Sequence, residues 1–320
     1  MLFKKSNAVF AVELGPDLIR AVQLTTGKGK PGLSFFASQP VLPGTAETLP
    51  DRQLTALGEL LKTQRVGTRE VLATVPTNLV VTRTVQIDKQ RKESQDEQIQ
   101  LALQNCLSFD PKDLLFDHWP LAAVQGNARA SNEVLVVAMQ ASVVRRYLDG
   151  FEKLGVTCIH MDVAPCALAS LIPSTQQNPD AIVGSIALSR SVGFFAITER
   201  DRVLFWRPFD LTGGGGQRGV SVAGIQANLE RVGDEISKCV SHMVGTMHLD
   251  NLSELLLFGH GSDDAIVNDY LTNRFHVPVR SPSPFAGLDA PQEVANDKQA
   301  THYCTATGLA MQQIGAGTHG

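Results

Sequence analysis

Residues able to do covalent or metal chemistry are few and badly spaced in this chain of 320 residues. Gly214, Gly216 and Gly219 formally satisfy a dinucleotide-binding glycine pattern, but the acidic residue wanted about 20 positions on falls inside a helix instead of at a strand end. A plain glycine-rich loop is expected there. There is no phosphate loop ending in lysine, no His-Glu-x-x-His and no Gly-x-Ser-x-Gly elbow, and His242 and His248 do not share a helical face. The cysteines (Cys106, Cys158, Cys166, Cys239, Cys304) are odd in number and scattered, which argues against disulfides and structural zinc and for a reducing compartment. No metal or nucleophile candidate survives, so what the chain can bind depends on the elements its sequence builds.

A chain with 43% hydrophobic and 19% charged residues can bury a sizeable core, and its length suggests two domains. Lys and Arg number 28 against 32 Asp and Glu, a net charge of -4, which gives no electrostatic footprint for nucleic acid. No apolar run nears the roughly 18 to 20 residues that cross a bilayer, and residues 1–13 hold no signal-peptide stretch. A cytoplasmic protein is expected, reaching the inner membrane only through a partner.

Period-two rows Val9, Ala11, Glu13 and Leu18, Arg20, Val22, Leu24 flank Gly15-Pro16-Asp17, which predicts a β-hairpin; a third strand follows near 33–36. A helix from Asp51 with Leu54, Leu57, Leu60 and Leu61 inward leads to a buried strand at 71–75, stopped by Pro76. Residues 80–155 read as an inserted α+β subdomain, whose first helix opens on the capping box Ser94 and Glu97. From 181 the strand-strand-strand opening repeats, followed by a long helix with Val222, Ile225, Leu229, Val232, Ile236, Val240, Met243 and Met247 on one stripe, a buried strand at 255–258 and further helices. The expected division is a first domain of 1–79 plus 156–178, the insert 80–155, and a second domain 179–320.

Two similar α/β halves facing one another across paired turns resemble the actin-like, ribonuclease H-like ATPase layout. Leu2 to Lys5 with Ala11 to Val22 resembles the first phosphate segment of the PilM family of type IV pilus assembly, itself related to FtsA and to the cytoplasmic domains of GspL proteins. Pro76 with Arg83, Phe109 with Leu114, Leu115 and Asp117, Asp162 with Ala167, Arg207 with Gly213 to Gly216, Phe285 after Pro284, and Gly308-Leu309-Ala310 match that family in order and spacing.

The resemblance implies an ATP cleft in which backbone N–H groups of two hairpin turns cradle phosphates and carboxylates hold the waters of a Mg²⁺ ion. The nucleotide-facing positions fall on Glu13, Gly15, Asp17, Ser185, Ser191, Gly259, Gly261 and Ser262. Glu13 stands for the family's first Asp, and Pro16 removes a donor; Ser185 replaces the second Asp, and Ala187 adds a Cβ where a phosphate should approach. The further lobe expected after Gly219 is reduced. The cleft is therefore read as degenerate, with neither ATP nor Mg²⁺ as cofactor unless it stays competent, and with no metal site. The chain is then a scaffold that docks the cytoplasmic N-terminal segment of a PilN-like bitopic membrane protein in a type IV pilus or type II secretion platform, and that self-associates through the insert as the family does. Candidate docking residues are Val81, Arg83, Val85, Ile99 and Leu103. The competing reading is an active ATPase or small-molecule kinase using Glu13, with Asp162 as the catalytic acid.

Overall fold

The computed structural model describes residues 7–27, 29–121, 132–175, 178, 181–211, 229–242, 245 and 252–316. Strands β1 (Ala8–Leu14) and β2 (Leu18–Thr25) form the expected hairpin, in whose register Glu13 stands opposite Arg20. β3 (Gly32–Pro40) extends it, and helix α1 (Leu49–Thr63) crosses with Leu54, Leu57 and Leu60 buried before β4 (Glu70–Val75) lies parallel to β1.

The insert begins at β5 (Val81–Gln86). Helix α2 (Gln95–Leu103) starts on the predicted capping box: Ser94 N donates to Glu97 Oε2 at 2.7 Å and Glu97 N to Ser94 Oγ at 3.3 Å. β6 (Leu114–Pro120) and β7 (Glu133–Gln140) complete an antiparallel sheet ordered β5-β7-β6. Helix α3 (Ala141–Lys153) follows, then β8 (Thr157–Val163), the edge of the first sheet, β3-β2-β1-β4-β8, and the short helix α4 (Ala164–Ala169).

The second half repeats that order. β9 (Ile182–Leu188), β10 (Val192–Glu199), β11 (Arg202–Asp210), β12 (Glu254–Gly259) and β13 (Val279–Arg280) pair as β11-β10-β9-β12-β13, with helices α5 (Leu229–His242) and α6 (Ala265–Phe275) in one apolar cluster with this sheet. Short helix α7 (Gln292–Ala295) precedes the terminal helix α8 (Cys304–Ala316). Matching strand orders in both halves are what the duplicated α/β expectation requires. The predicted helix positions Val222, Ile225, Met243 and Met247, the glycine run 213–219, the reduced lobe after it and the start 1–6 lie outside the described residues.

Two helices pack away from the segment that their position in the chain suggests. Helix α3 lies within the stretch 80–155 expected as the insert, but its Tyr147 and Phe151 are 0% exposed within the core of the first sheet, beside Phe10, Leu57 and Leu60. Helix α8 belongs by position to the second half, yet Ala306, Leu309 and Ala310 pack with Ala11, Val22 and Leu72 of the first sheet. The reason is area: both faces of the first sheet carry apolar rows, and α1 alone does not cover them. Gly308 makes the return close, since a Cβ there would sit 2.0 Å from Ala167 O of α4. Beneath the cleft one apolar cluster, including Val75, Leu168, Leu171, Phe194, Trp206 and Phe258, runs across both sheets, so the two lobes share a core.

Candidate functional site

The β1–β2 turn is held from behind. Gln53 of α1, 0% exposed, donates through Nε2 to Leu14 O and Gly15 O, both at 2.9 Å, while its Oε1 accepts from the Tyr147 hydroxyl. Gly15 is required by the tightness of the turn, because a Cβ would come within 2.5 Å of Leu18 O. The turn thus points Glu13, Gly15 and Pro16 into a cleft whose far wall is Ala187, Leu188, Ser189 and Phe194.

Within that cleft Glu13 is answered by a cation from its own hairpin. Arg20 Nη1 lies 3.6 Å from Glu13 Oε1, with the two side chains 5% and 19% exposed respectively. Burial raises the Glu13 carboxyl above its ordinary range and the Arg20 charge and hydrogen bond lower it, burial prevailing. Sequence reasoning missed Arg20, although the signal was present: in an antiparallel hairpin, directly opposed residues project to one face, and Glu13 and Arg20 are such a pair. Asp17 is also engaged. Its Oδ2 accepts from Ser191 Oγ at 2.7 Å, a hydrogen bond that runs straight from the first lobe's turn to the second's. The space left between the turns is ≈ 50 Å³, room for about one or two waters.

The third turn spends its special residues internally. Gly259 adopts φ 80°, and a Cβ there would lie 2.2 Å from Leu188 O, the carbonyl that accepts from His260 N at 2.9 Å. Gly261 has φ 79°, and Ser262, 2% exposed, shares a 2.7 Å hydrogen bond with Thr301. Ser185 is 0% exposed, and its hydroxyl has no hydrogen-bond partner among the described residues. Of the eight predicted nucleotide-facing residues, Glu13, Gly15 and Gly259 line the cleft, Asp17 and Ser191 bridge it, and Ser185, Gly261 and Ser262 are not among its lining. His302, unmarked by sequence reasoning, lines the cleft with its ring centroid 4.8 Å from that of His260; burial, then the charge of Arg20, pushes its pKa down to about 4.

A second concavity lies where the insert meets the first lobe. This groove of ≈ 350 Å³ is walled by Leu115, Phe116, Trp119, Val144, Met161 and Val163, with Asp117 and Asp162 also lining it. The docking residues named from sequence are not there. Val85, Ile99 and Leu103 are 6%, 0% and 0% exposed in the core between the insert's sheet and α2, with Val81 packed against it, and Arg83 projects to solvent. The amphipathic pattern that marked them reports burial, and burial under α2 is what the insert's own stability needs. Trp119 ties the insert to the second lobe, its Nε1 donating to Val203 O at 2.9 Å. Asp162 opens onto this groove and not the cleft; its Oδ2 accepts from Gln312 Nε2 at 3.1 Å.

Among the described residues no helix is long and apolar enough to cross a membrane, and no group of three or more His, Cys, Asp and Glu is placed to hold a metal ion. A search of curated protein sequences returns no match. Among solved structures, a PilM-PilN type IV pilus biogenesis complex superposes with TM-score 0.77 at 19% identity, covering 96% of this chain and 98% of that one. A Bacteroides thetaiotaomicron protein with an actin-like ATPase fold gives TM-score 0.51 at 11% identity over 95% and 98% of the two chains, and the ethanolamine utilization protein EutJ from Carboxydothermus hydrogenoformans gives 0.51 at 10% over 95% and 89%. The fold is actin-like, as the duplicated sheets required. The family model for the type IV pilus assembly protein PilM matches residues 11–221. The chain belongs to the PilM family of type IV pilus assembly proteins.

Proposed function

We propose that this chain is a cytoplasmic scaffold of a pilus or secretion platform, docking the cytoplasmic N-terminal segment of a PilN-like inner-membrane protein in the groove between insert and first lobe, with a cleft that does not turn over Mg-ATP. The observation that carries this reading is where open space lies: ≈ 350 Å³ in the apolar groove against ≈ 50 Å³ in the cleft. Small-molecule sites occupy about 300 Å³ or more, so a nucleotide needs the lobes prised apart. The residues present do not fit a magnesium nucleotide. A divalent ion at Glu13 would face the Arg20 guanidinium, and phosphates between the turns would have to displace the Asp17–Ser191 hydrogen bond. The solved relative with TM-score 0.77 was captured with PilN, which supports a PilN-like partner here.

An extended segment in such a groove gives up conformational entropy and draws affinity from a few apolar anchors. Leu115 is 46% exposed at the groove wall, so Leu115→Ser removes an anchor without opening the core. Titrating the labelled N-terminal peptide of a PilN-like protein from the same organism should show saturable binding that Leu115→Ser weakens; no binding overturns the docking reading. Calorimetry with Mg-ATP should show no saturable heat. Tight binding, with phosphate release abolished by Glu13→Gln, would establish the competing ATPase.

A further inference from the structure

The groove is bounded by two sheet edges. β6 is the outer strand of the insert's sheet and β8 the outer strand of the first, so each ends its sheet without a neighbour among the described strands. On β6, the residues opposite Met139, Val137 and Leu135 of β7 are Leu115, Asp117 and Trp119. Those β7 residues belong to the cluster between insert and lobes, so Leu115, Asp117 and Trp119 form one row on the groove side, apolar–acidic–apolar at a period of two.

The groove's charge has one sign. Its lining contains Asp117 and Asp162 and no Lys or Arg among the described residues. Asp162 is already held by Val163 N at 2.7 Å and Gln312 Nε2 at 3.1 Å, with His160 Nε2 3.8 Å away. Asp117 is exposed, accepts only from its neighbour His118 N at 2.7 Å, and has no ion pair among the described residues. Both carboxylates act on one point: behind burial, their charges are the two that raise the Cys166 thiol.

Resting on the docking reading above, we propose that the membrane partner's segment adds as a strand to the β6 edge and that Asp117 selects a Lys or Arg in it, flanked at alternate positions by apolar residues that meet Leu115 and Trp119. Strand addition satisfies the edge's backbone groups, and cross-strand pairs then set the register. Cytoplasmic segments next to a membrane span carry an excess of Lys and Arg, the complement of a groove whose charged lining residues are both acids. An apolar pocket alone would not choose among hydrophobic segments; one carboxylate in the row does.

The test uses the full chain and the same labelled N-terminal peptide, together with copies in which each Lys or Arg is changed singly to Gln or Glu. Asp117→Asn should weaken binding about tenfold and flatten its salt dependence. One Gln copy should lose a similar factor against the wild-type chain and nothing further against Asp117→Asn, and Asp117→Lys should regain affinity for the matching Glu copy. Hydrogen exchange should show residues 115–119 protected by the peptide. Peptide that binds and is weakened by Leu115→Ser, yet is indifferent to every charge change or leaves β6 unprotected, overturns this inference while docking stands. Failure of any peptide to bind removes both.

Discussion

Replacing Arg20 by Met keeps much of its apolar stem and deletes the cation opposite Glu13. At 3.6 Å the bare Coulomb attraction is about 5 kcal/mol at an effective dielectric near 20. Desolvation offsets part of it, and with exposures of 5% and 19% the pair sits nearer the buried limit than the surface one, so a net loss of about 2–3 kcal/mol is expected at neutral pH. The pH dependence has a definite sign. Glu13 is already raised above 4.5 in the folded chain, so its protonated form favours folding and stability declines as pH rises through the raised value. Without Arg20 the carboxyl rises further. The loss should therefore be smallest below pH 4.5, where folded and unfolded chains both hold the proton, and should grow on the alkaline side. Urea unfolding of wild type, Arg20→Met and Arg20→Lys between pH 4.5 and 8 measures this, with the Lys variant retaining most of the stability. A loss that does not vary with pH, or one below about 0.5 kcal/mol at neutral pH, would refute the internal counter-ion.

Ser191→Ala removes the hydroxyl that joins the two turns and should cost about 1 kcal/mol, with faster hydrogen exchange at residues 15–17 and 189–192; unchanged exchange there would mean the bridge does not hold the cleft. Gly308→Ala places a Cβ 2.0 Å from Ala167 O and should destabilise by about 1–3 kcal/mol in thermal melts, opposite to the usual gain of alanine in a helix. His302, its pKa depressed from 6.5 to about 4, favours the folded state above pH 6.5 and loses that contribution as pH falls toward 4; His302→Asn should flatten the acid side of the stability profile over that window. Trp119→Phe keeps the ring in the groove wall but leaves Val203 O without its donor, and should lower stability by about 1 kcal/mol.

Much of the architecture was legible because it rests on local rules. Alternation over 9–24 with Gly15-Pro16-Asp17 between could only be a hairpin, and the Ser94–Glu97 box marked a helix start to the residue. Burial patterns misled where the same signature serves two ends: Ile99 and Leu103 look alike whether they line a docking groove or a core, and only α2 lying on the insert's sheet decides for the core. The groove's lining could not be read from the sequence, since its walls come from β6, α3 and β8, which are close only after the chain has folded.

The sequence alone determined the duplicated strand-rich openings of the two halves and the capped start of the insert's first helix, because each depends on residue type and spacing within a few positions. Tertiary structure alone decided that α3 and α8 cover the first sheet, that Asp17 meets Ser191 from 174 residues away, and that the cleft is narrow while the groove is open. Those outcomes depend on which apolar faces remain uncovered once the sheets have formed, a balance of buried area summed over the whole chain that no short stretch of it contains.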